Sequence, residues 1–248
     1  MTRLKKWTEY LMSCLTMTSS EFKAFDIRRK FNVNYNEKID LYGLTEDLNI
    51  KVVERSLNEK VLGACKTKGI KRIILLNNNI DYEKRKRFTL AHEIGHLVLE
   101  HGDQYCDKKN FYIREIERDA NAFASELLVP SKYIKEYVHD KDVTCESIIS
   151  VSNRFDVSYS VASIALLKNM DDSWVMIYNK DKAFSSFFTW GLFYKTHPLL
   201  HKILYEYGEN VYELKNLDTW FPNCYFSQCF VETKKLSDGN YLSLLKFV

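Results

Sequence analysis

In the stretch "RFTLAHEIGHLVLEH", His92 and His96 stand four residues apart, and Glu93 directly follows the first. On an α-helix a four-residue step turns only about 40°, so both imidazoles face one way and can grip a single ion. Glu93 projects about 100° from His92. It is badly placed to complete that grip and well placed to reach a water on the ion. This is the arrangement of zinc-assisted hydrolysis, with the carboxylate as general base. The ordinary alternative is a helix that merely contains these three residues.

A tetrahedral zinc site needs a third protein ligand. The acids that follow are Glu100, Glu115, Glu117, Asp119 and Glu126. Helical periodicity chooses among those in "IREIERDANAFASELL". With Glu117 at 0°, the apolar residues Ile113, Ile116, Ala120, Phe123, Ala124, Leu127 and Leu128 fall between about −120° and +20°. Asn121 falls at about 40°, while Glu115, Asp119 and Glu126 land near 160–200°, on the solvated side. Glu117 and Asn121 are thus the polar residues of the buried face. A buried carboxylate costs several kcal/mol unless it is compensated, by a metal ion or by an arginine. Glu100 remains a weaker rival on the histidines' own helix. Asn121 reads as a group that orients a ligand by hydrogen bond, or as a bridge between helices. His101 projects about 180° from His92 and reads as a packing or surface residue.

The elements around these residues give an α+β fold. Residues 1–35 read as helical, with a Ser/Glu start signal in "SSEFKAFDIRRKF". A helix and a strand at 50–54 follow, then a β-hairpin in "VLGACKTKGIKRIILLNN" with Lys68-Gly69 at the turn. Helical pattern covers 83–101 and 111–128, the latter stopped by Pro130, and again 143–154 and 158–168. Beyond Met170 the chain turns to aromatic and β-branched residues, with Asp238-Gly239 as a hairpin turn. The expected division is an N-terminal helical extension (1–34), a mainly helical domain with a small sheet (35–170) and a small C-terminal α+β domain (171–248).

Composition excludes little. The net charge of +3 comes from 36 basic and 33 acidic residues, so nothing demands nucleic acid or an anionic membrane. The six cysteines form no C-x-x-C pair, and reduced cysteines in a cytoplasmic protein are expected. The N-terminal apolar patch is interrupted by Glu9 and Tyr10 and does not read as a secretion signal. No apolar run approaches the ~20 residues of a membrane span.

Taken together, "RFTLAHEIGHLVLEH" and "ERDANAFASELLVP" resemble the ImmA/IrrE family of metallopeptidases. The first matches at Arg87, Thr89, Ala91, His92, Glu93, Gly95 and His96. The second matches at Glu117, Ala120, Asn121, Phe123, Ala124, Leu127, Leu128 and Pro130. The resemblance spans about residues 35–168. It implies a zinc peptidase with His92, His96 and Glu117 as ligands and Glu93 as base. The implied substrate is a helix-turn-helix repressor, whose cleavage derepresses a mobile element, a prophage or a stress regulon. It also allows a toxin or regulatory component that acts by binding a DNA-binding antitoxin or repressor.

Other features compete. Tyr112 and Tyr133 are candidates to stabilise an oxyanion, though periodicity places neither. "CESIISVSNRFDVSYSVASIALLKN" has a helix–turn–helix cadence, yet its second helix offers only Lys168 as a base, so direct DNA binding is not expected. His197 and His201 repeat the four-residue spacing without a following acid and read as structural. The aromatic cluster Phe187, Phe188, Trp190, Phe193 and Tyr194 reads as core.

Overall fold

Among the described residues, the first helix starts with an acid that answers a hydroxyl. A computed structural model describes residues 17–58, 60–80, 82–107, 115–138, 142–168, 170–188 and 197–248. Helix α1 (Ser19–Lys30) is capped by Thr18, whose hydroxyl accepts the Glu21 N–H at 3.2 Å while Glu21 Oε2 accepts the Thr18 N–H at 2.8 Å. The cap is therefore Thr18 rather than the serines after it. The residues group into two compact units, 1–133 with 154–157 and 134–153 with 158–248.

In the first unit, α2 (Leu41–Asp47) leads into β1 (Ile50–Arg55), followed by β2 (Val61–Lys68) and β3 (Lys71–Asn77). With β4 (Gln104–Asp107) they form a sheet of order β1-β3-β2-β4, parallel only between β1 and β3. Lys68 pairs with Lys71, so the hairpin turn is Gly69-Ile70, one residue later than expected, with Gly69 at φ 61°. Helix α3 (Glu83–Val98) packs on β2 and β3, and every residue from Thr89 to Leu97 is buried. A run buried on all sides means that α3 is the central helix of this unit.

Helix α4 (Glu115–Leu128) packs on α3 and on α1. Buried Arg28 of α1 donates to Leu127 O at 2.7 Å and to Asn34 O and Glu37 O at 2.5 Å. Here the expectation for Glu126 fails. The wheel put it in solvent, but it is buried, and it accepts the Ser131 N–H at 3.1 Å at the start of α5 (Ser131–Val138). The wheel holds no record of α1, which packs on α4 and whose buried Arg28 lies near enough to Glu126 for their charges to interact. Helix α5, directly after Pro130, and the short strand β4 were not separated by the sequence pattern.

The second unit holds residues 145–153 of α6 (Cys145–Phe155), α7 (Tyr159–Leu167), α8 (Leu200–Tyr207) and the short α9 (Leu217–Trp220). Its antiparallel sheet contains β5 (Ser173–Tyr178), β6 (Ala183–Phe188), β7 (Val211–Glu213), β8 (Cys229–Lys235) and β9 (Tyr241–Phe247), in the order β6-β5-β9-β8-β7. One face packs Trp174, Met176, Val231 and Leu245 against Leu200 and Leu204 of α8 and Phe221. On the other, α7 packs on β5 and β6, and the Cys145 thiol of α6 donates to Glu232 O at 3.2 Å. Helices on both faces explain why all six residues of β5 are buried.

This grouping departs from the boundary near residue 170. The texture change there is real, but α7 and most of α6 serve as cover for the sheet that follows. Helix α7, the second helix of the helix–turn–helix cadence, lies on that sheet, with Ser160 Oγ 3.4 Å from Ser185 Oγ. His197 sets its ring edge-on to Trp220 at 5.5 Å, and its Nδ1 accepts the Leu199 N–H. Phe188, as a side chain, and Trp190, Phe193 and Tyr194 lie outside the described residues. No helix among the described residues is long and apolar enough to cross a membrane.

Candidate metal centre

The site is made where α3 and α4 touch, and a glycine sets how closely they do. A Cβ added at Gly95 would lie 2.9 Å from Phe123 Cδ1 and 3.3 Å from Ala120 O. Glycine between the two histidines therefore lets α4 press onto the helix that carries them. Thr89 Oγ1 donates to Arg85 O at 3.0 Å, and Arg87 Nη2 donates to Ile39 O at 2.6 Å, anchoring the N-terminal half of α3.

That approach brings His92, His96 and Glu117 together, all three buried. The His92 and His96 Nε2 atoms are 3.0 Å apart. Glu117 Oε2 lies 3.2 Å from His92 Nε2 and 3.6 Å from His96 Nε2. Ligands ~2.1 Å from a tetrahedral zinc are separated by ~3.4 Å, so this triangle has the size for one such ion. The donor chemistry fits too. Burial pushes the His92 pKa down, favouring neutral imidazole. Burial alone would raise the Glu117 carboxyl, but hydrogen bonds and charge from His92 and His96 outweigh it and hold it at about 2. Neutral imidazole and ionised carboxylate are the forms that bind a metal. This is the only such three-residue group among the described residues.

Around the triangle, Asn121 Oδ1 lies 3.0 Å from His92 Nδ1. The amide oxygen can only accept, so His92 carries its proton on Nδ1 and its Nε2 lone pair is left for an ion. Glu93 is fully buried. A Cβ at Gly63 of β2 would stand 2.7 Å from Glu93 Oε1, so the strand leaves room for this carboxylate only because residue 63 is glycine. The role of Gly63 had no signal in the helix pattern.

Two neighbours differ from the sequence reading. Helix α3 ends at Val98, and Glu100, with φ 58°, turns the chain back and stands exposed, away from the triangle. His101 consequently folds under His96, with 2.9 Å between their Nδ1 atoms. The 180° projection assumed a helix that continued to residue 101. Tyr133 packs edge-on against Phe155 at 4.9 Å, beneath the Arg154 guanidinium. Tyr112 lies outside the described residues.

Comparison with known proteins decides the family. Residues 45–167 match the model of the Peptidase_M78 family, the IrrE N-terminal-like domain. Two radiation response metalloproteases IrrE match part of the chain: that of Deinococcus radiodurans at 34% identity over 99 residues and that of Deinococcus deserti at 35% over 100. Residues 45–167 belong to the IrrE N-terminal-like family.

The IrrE-like domain is therefore a metallopeptidase-family domain with a buried His-His-Glu group. Each IrrE match covers 38% of this chain and 30% or 35% of the relative. An uncharacterized immunity region protein 2 of Bacillus phage phi105 is 29% identical over 99 residues, 39% of this chain and 62% of that protein. The chain thus spans less than two thirds of each of these relatives. A transcriptional regulator from Mycobacterium tuberculosis has a similar fold, with a TM-score of 0.52 at 13% identity over 91% of this chain and 74% of its own. The IrrE-like domain ends near the change of texture at residue 170, and α7 and most of α6 lie within both the family match and the second compact unit.

Proposed function

We propose that this protein is a zinc-dependent endopeptidase that cleaves a helix-turn-helix transcriptional repressor in the cytoplasm, derepressing a mobile element, a prophage or a stress regulon. The observation that carries the reading is the donor triangle with Glu93 next to it in sequence and buried beside it. His92, His96 and Glu117 would hold the ion, and two imidazoles with one carboxylate are a catalytic zinc donor set. The likeness to IrrE metalloproteases and to a phage immunity region protein supports a protease acting on a regulator.

When bound, zinc supplies Lewis acidity towards the scissile carbonyl and acidifies water. Glu93 takes the proton from water as its oxygen bonds to the carbonyl carbon. The same carboxyl then delivers that proton to the amide nitrogen as the C–N bond breaks. Asn121 keeps the His92 ring oriented throughout. Gly63 keeps strand β2 from displacing the Glu93 carboxylate.

The test is incubation of purified protein with a helix-turn-helix protein encoded next to its gene. Wild type should cut it at a defined site. Glu93→Gln should keep the metal and cut nothing, because an amide cannot accept the proton. Equal cleavage by that variant contradicts the mechanism. Tight binding without cleavage would favour the reading in which the chain acts as a toxin or regulator by association alone.

A further inference from the structure

His96 has a partner on its far side that the metallopeptidase pattern does not include. Helix α3 ends in a turn in which Glu100 adopts φ 58° and the His101 N–H donates to His96 O at 3.0 Å. This six-to-one bond is the signature of a Schellman cap. It fixes the backbone of residue 101 to the residue whose ring it also touches. The two rings stand edge to face, with centroids 5.1 Å apart and Nδ1 to Nδ1 at 2.9 Å.

The tautomers follow from that contact. Two ring nitrogens at hydrogen-bond distance need one proton between them. If His96 offers its Nε2 lone pair to an ion, its proton sits on Nδ1 and is donated to His101. His101 Nδ1 must then accept, with its own proton on Nε2. His92 is held in the same tautomer by Asn121 Oδ1, 3.0 Å away. The centre thus has two orienting acceptors, one for each imidazole. The second is recruited by the helix cap and not by α4.

We propose that His101 is a positioning residue for the metal centre, accepting a hydrogen bond from His96 Nδ1 so that His96 Nε2 stays aimed at the ion. The inference rests on the metal-site reading of the preceding section. A residue that only fills space beside His96 would be replaceable by any ring. An acceptor would be replaceable by a group with an oxygen where Nδ1 stands, and the Asn side chain places its Oδ1 there.

The experiment compares full-length wild type, His101→Phe and His101→Asn. Zinc affinity is measured by competition with a chromophoric chelator at fixed pH. Visible absorption of the cobalt(II)-loaded forms reports ligand geometry, and melting of the metal-free forms controls for folding. We expect His101→Phe to bind zinc about 10–100-fold more weakly, as loss of such a partner typically does. Its cobalt spectrum should change. His101→Asn should recover affinity to within a few-fold, with the three metal-free proteins melting alike. Wild-type affinity in His101→Phe would overturn the proposal. So would equal weakening in both variants, which would mean that the ring itself is what matters. If wild type binds no zinc, the metal-site reading fails first; if it binds and the variants do not differ, only the role of His101 falls.

Discussion

Gly95→Ala sets two physical effects against each other. In a helix interior alanine is favoured over glycine by about 1 kcal/mol, which alone would stabilise the protein. Against this, the new methyl would stand 2.9 Å from Phe123 Cδ1 and 3.3 Å from the Ala120 carbonyl oxygen. Carbon atoms settle at ~3.5–4.0 Å, so a gap of more than ~0.5 Å must open. Phe123 is fully buried, and the oxygen belongs to backbone, so neither can swing aside. Overpacking of this kind costs about 1–3 kcal/mol, which leaves a net loss of up to ~2 kcal/mol. The larger consequence is at the site. If α4 moves out, it takes Glu117 and Asn121 with it and widens the 3.2 and 3.6 Å separations from the histidines. Since such sites tolerate only ~0.5 Å of misplacement, zinc affinity should fall about tenfold or more. Denaturant unfolding of the metal-free protein and a chelator competition measure the two effects. A variant stabilised by ~1 kcal/mol with unchanged zinc binding would refute the close-approach argument.

Further outcomes follow from other contacts. Gly63→Ala should cut peptidase turnover at least tenfold while zinc content stays full, because its methyl would stand 2.7 Å from Glu93 Oε1 and its nearest neighbours belong to Glu93 and Thr89, not to His92, His96 or Glu117; undiminished turnover would count against Glu93 as base. Glu54 accepts from Lys86 Nζ and Tyr42 Oη, each at 2.6 Å, and these bonds lower its pKa. A depressed folded pKa gives stability that is present above the unfolded value of about 4.3 and lost as pH falls through the folded one. Glu54→Gln should therefore cost about 1 kcal/mol near neutrality, discounted for exposure, and nothing at low pH where both forms are uncharged; a pH-independent difference in melting would contradict this. A fragment ending at residue 170 loses the sheet that covers α7, so it should bind hydrophobic dyes and unfold without a sharp transition; cooperative melting of a soluble fragment would support the boundary near 170.

What the sequence revealed was what depends on one helix at a time. The facing of His92 with His96, and of Glu117 with Asn121, follows from a 3.6-residue period within single helices, and the structure places these four as the period requires. The errors arise where a second element decides. The wheel of α4 puts Glu126 in solvent because it contains no record of α1, whose Arg28 reaches Leu127 O. The 180° projection of His101 extends a helix that ends three residues earlier, and the left-handed Glu100 that ends it is not a glycine or asparagine, the residues that advertise such a cap. The signal available was Gly102 shortly beyond, read as the end of the helix. Strand β4 is four residues long and carries too little alternation to stand out. Helix α6 is amphipathic whichever layer it covers, and α7 is apolar nearly all round, so neither pattern names its partner sheet.

The most direct measurement is the zinc content of the purified protein by elemental analysis, for wild type and Glu117→Ala side by side. The account predicts one zinc per chain in wild type and a loss of most of it in the variant, since only the two histidines of the triangle remain. Full zinc in Glu117→Ala would remove Glu117 from the ion and return attention to Glu100, and a wild type that takes up no zinc would contradict the metallopeptidase reading itself.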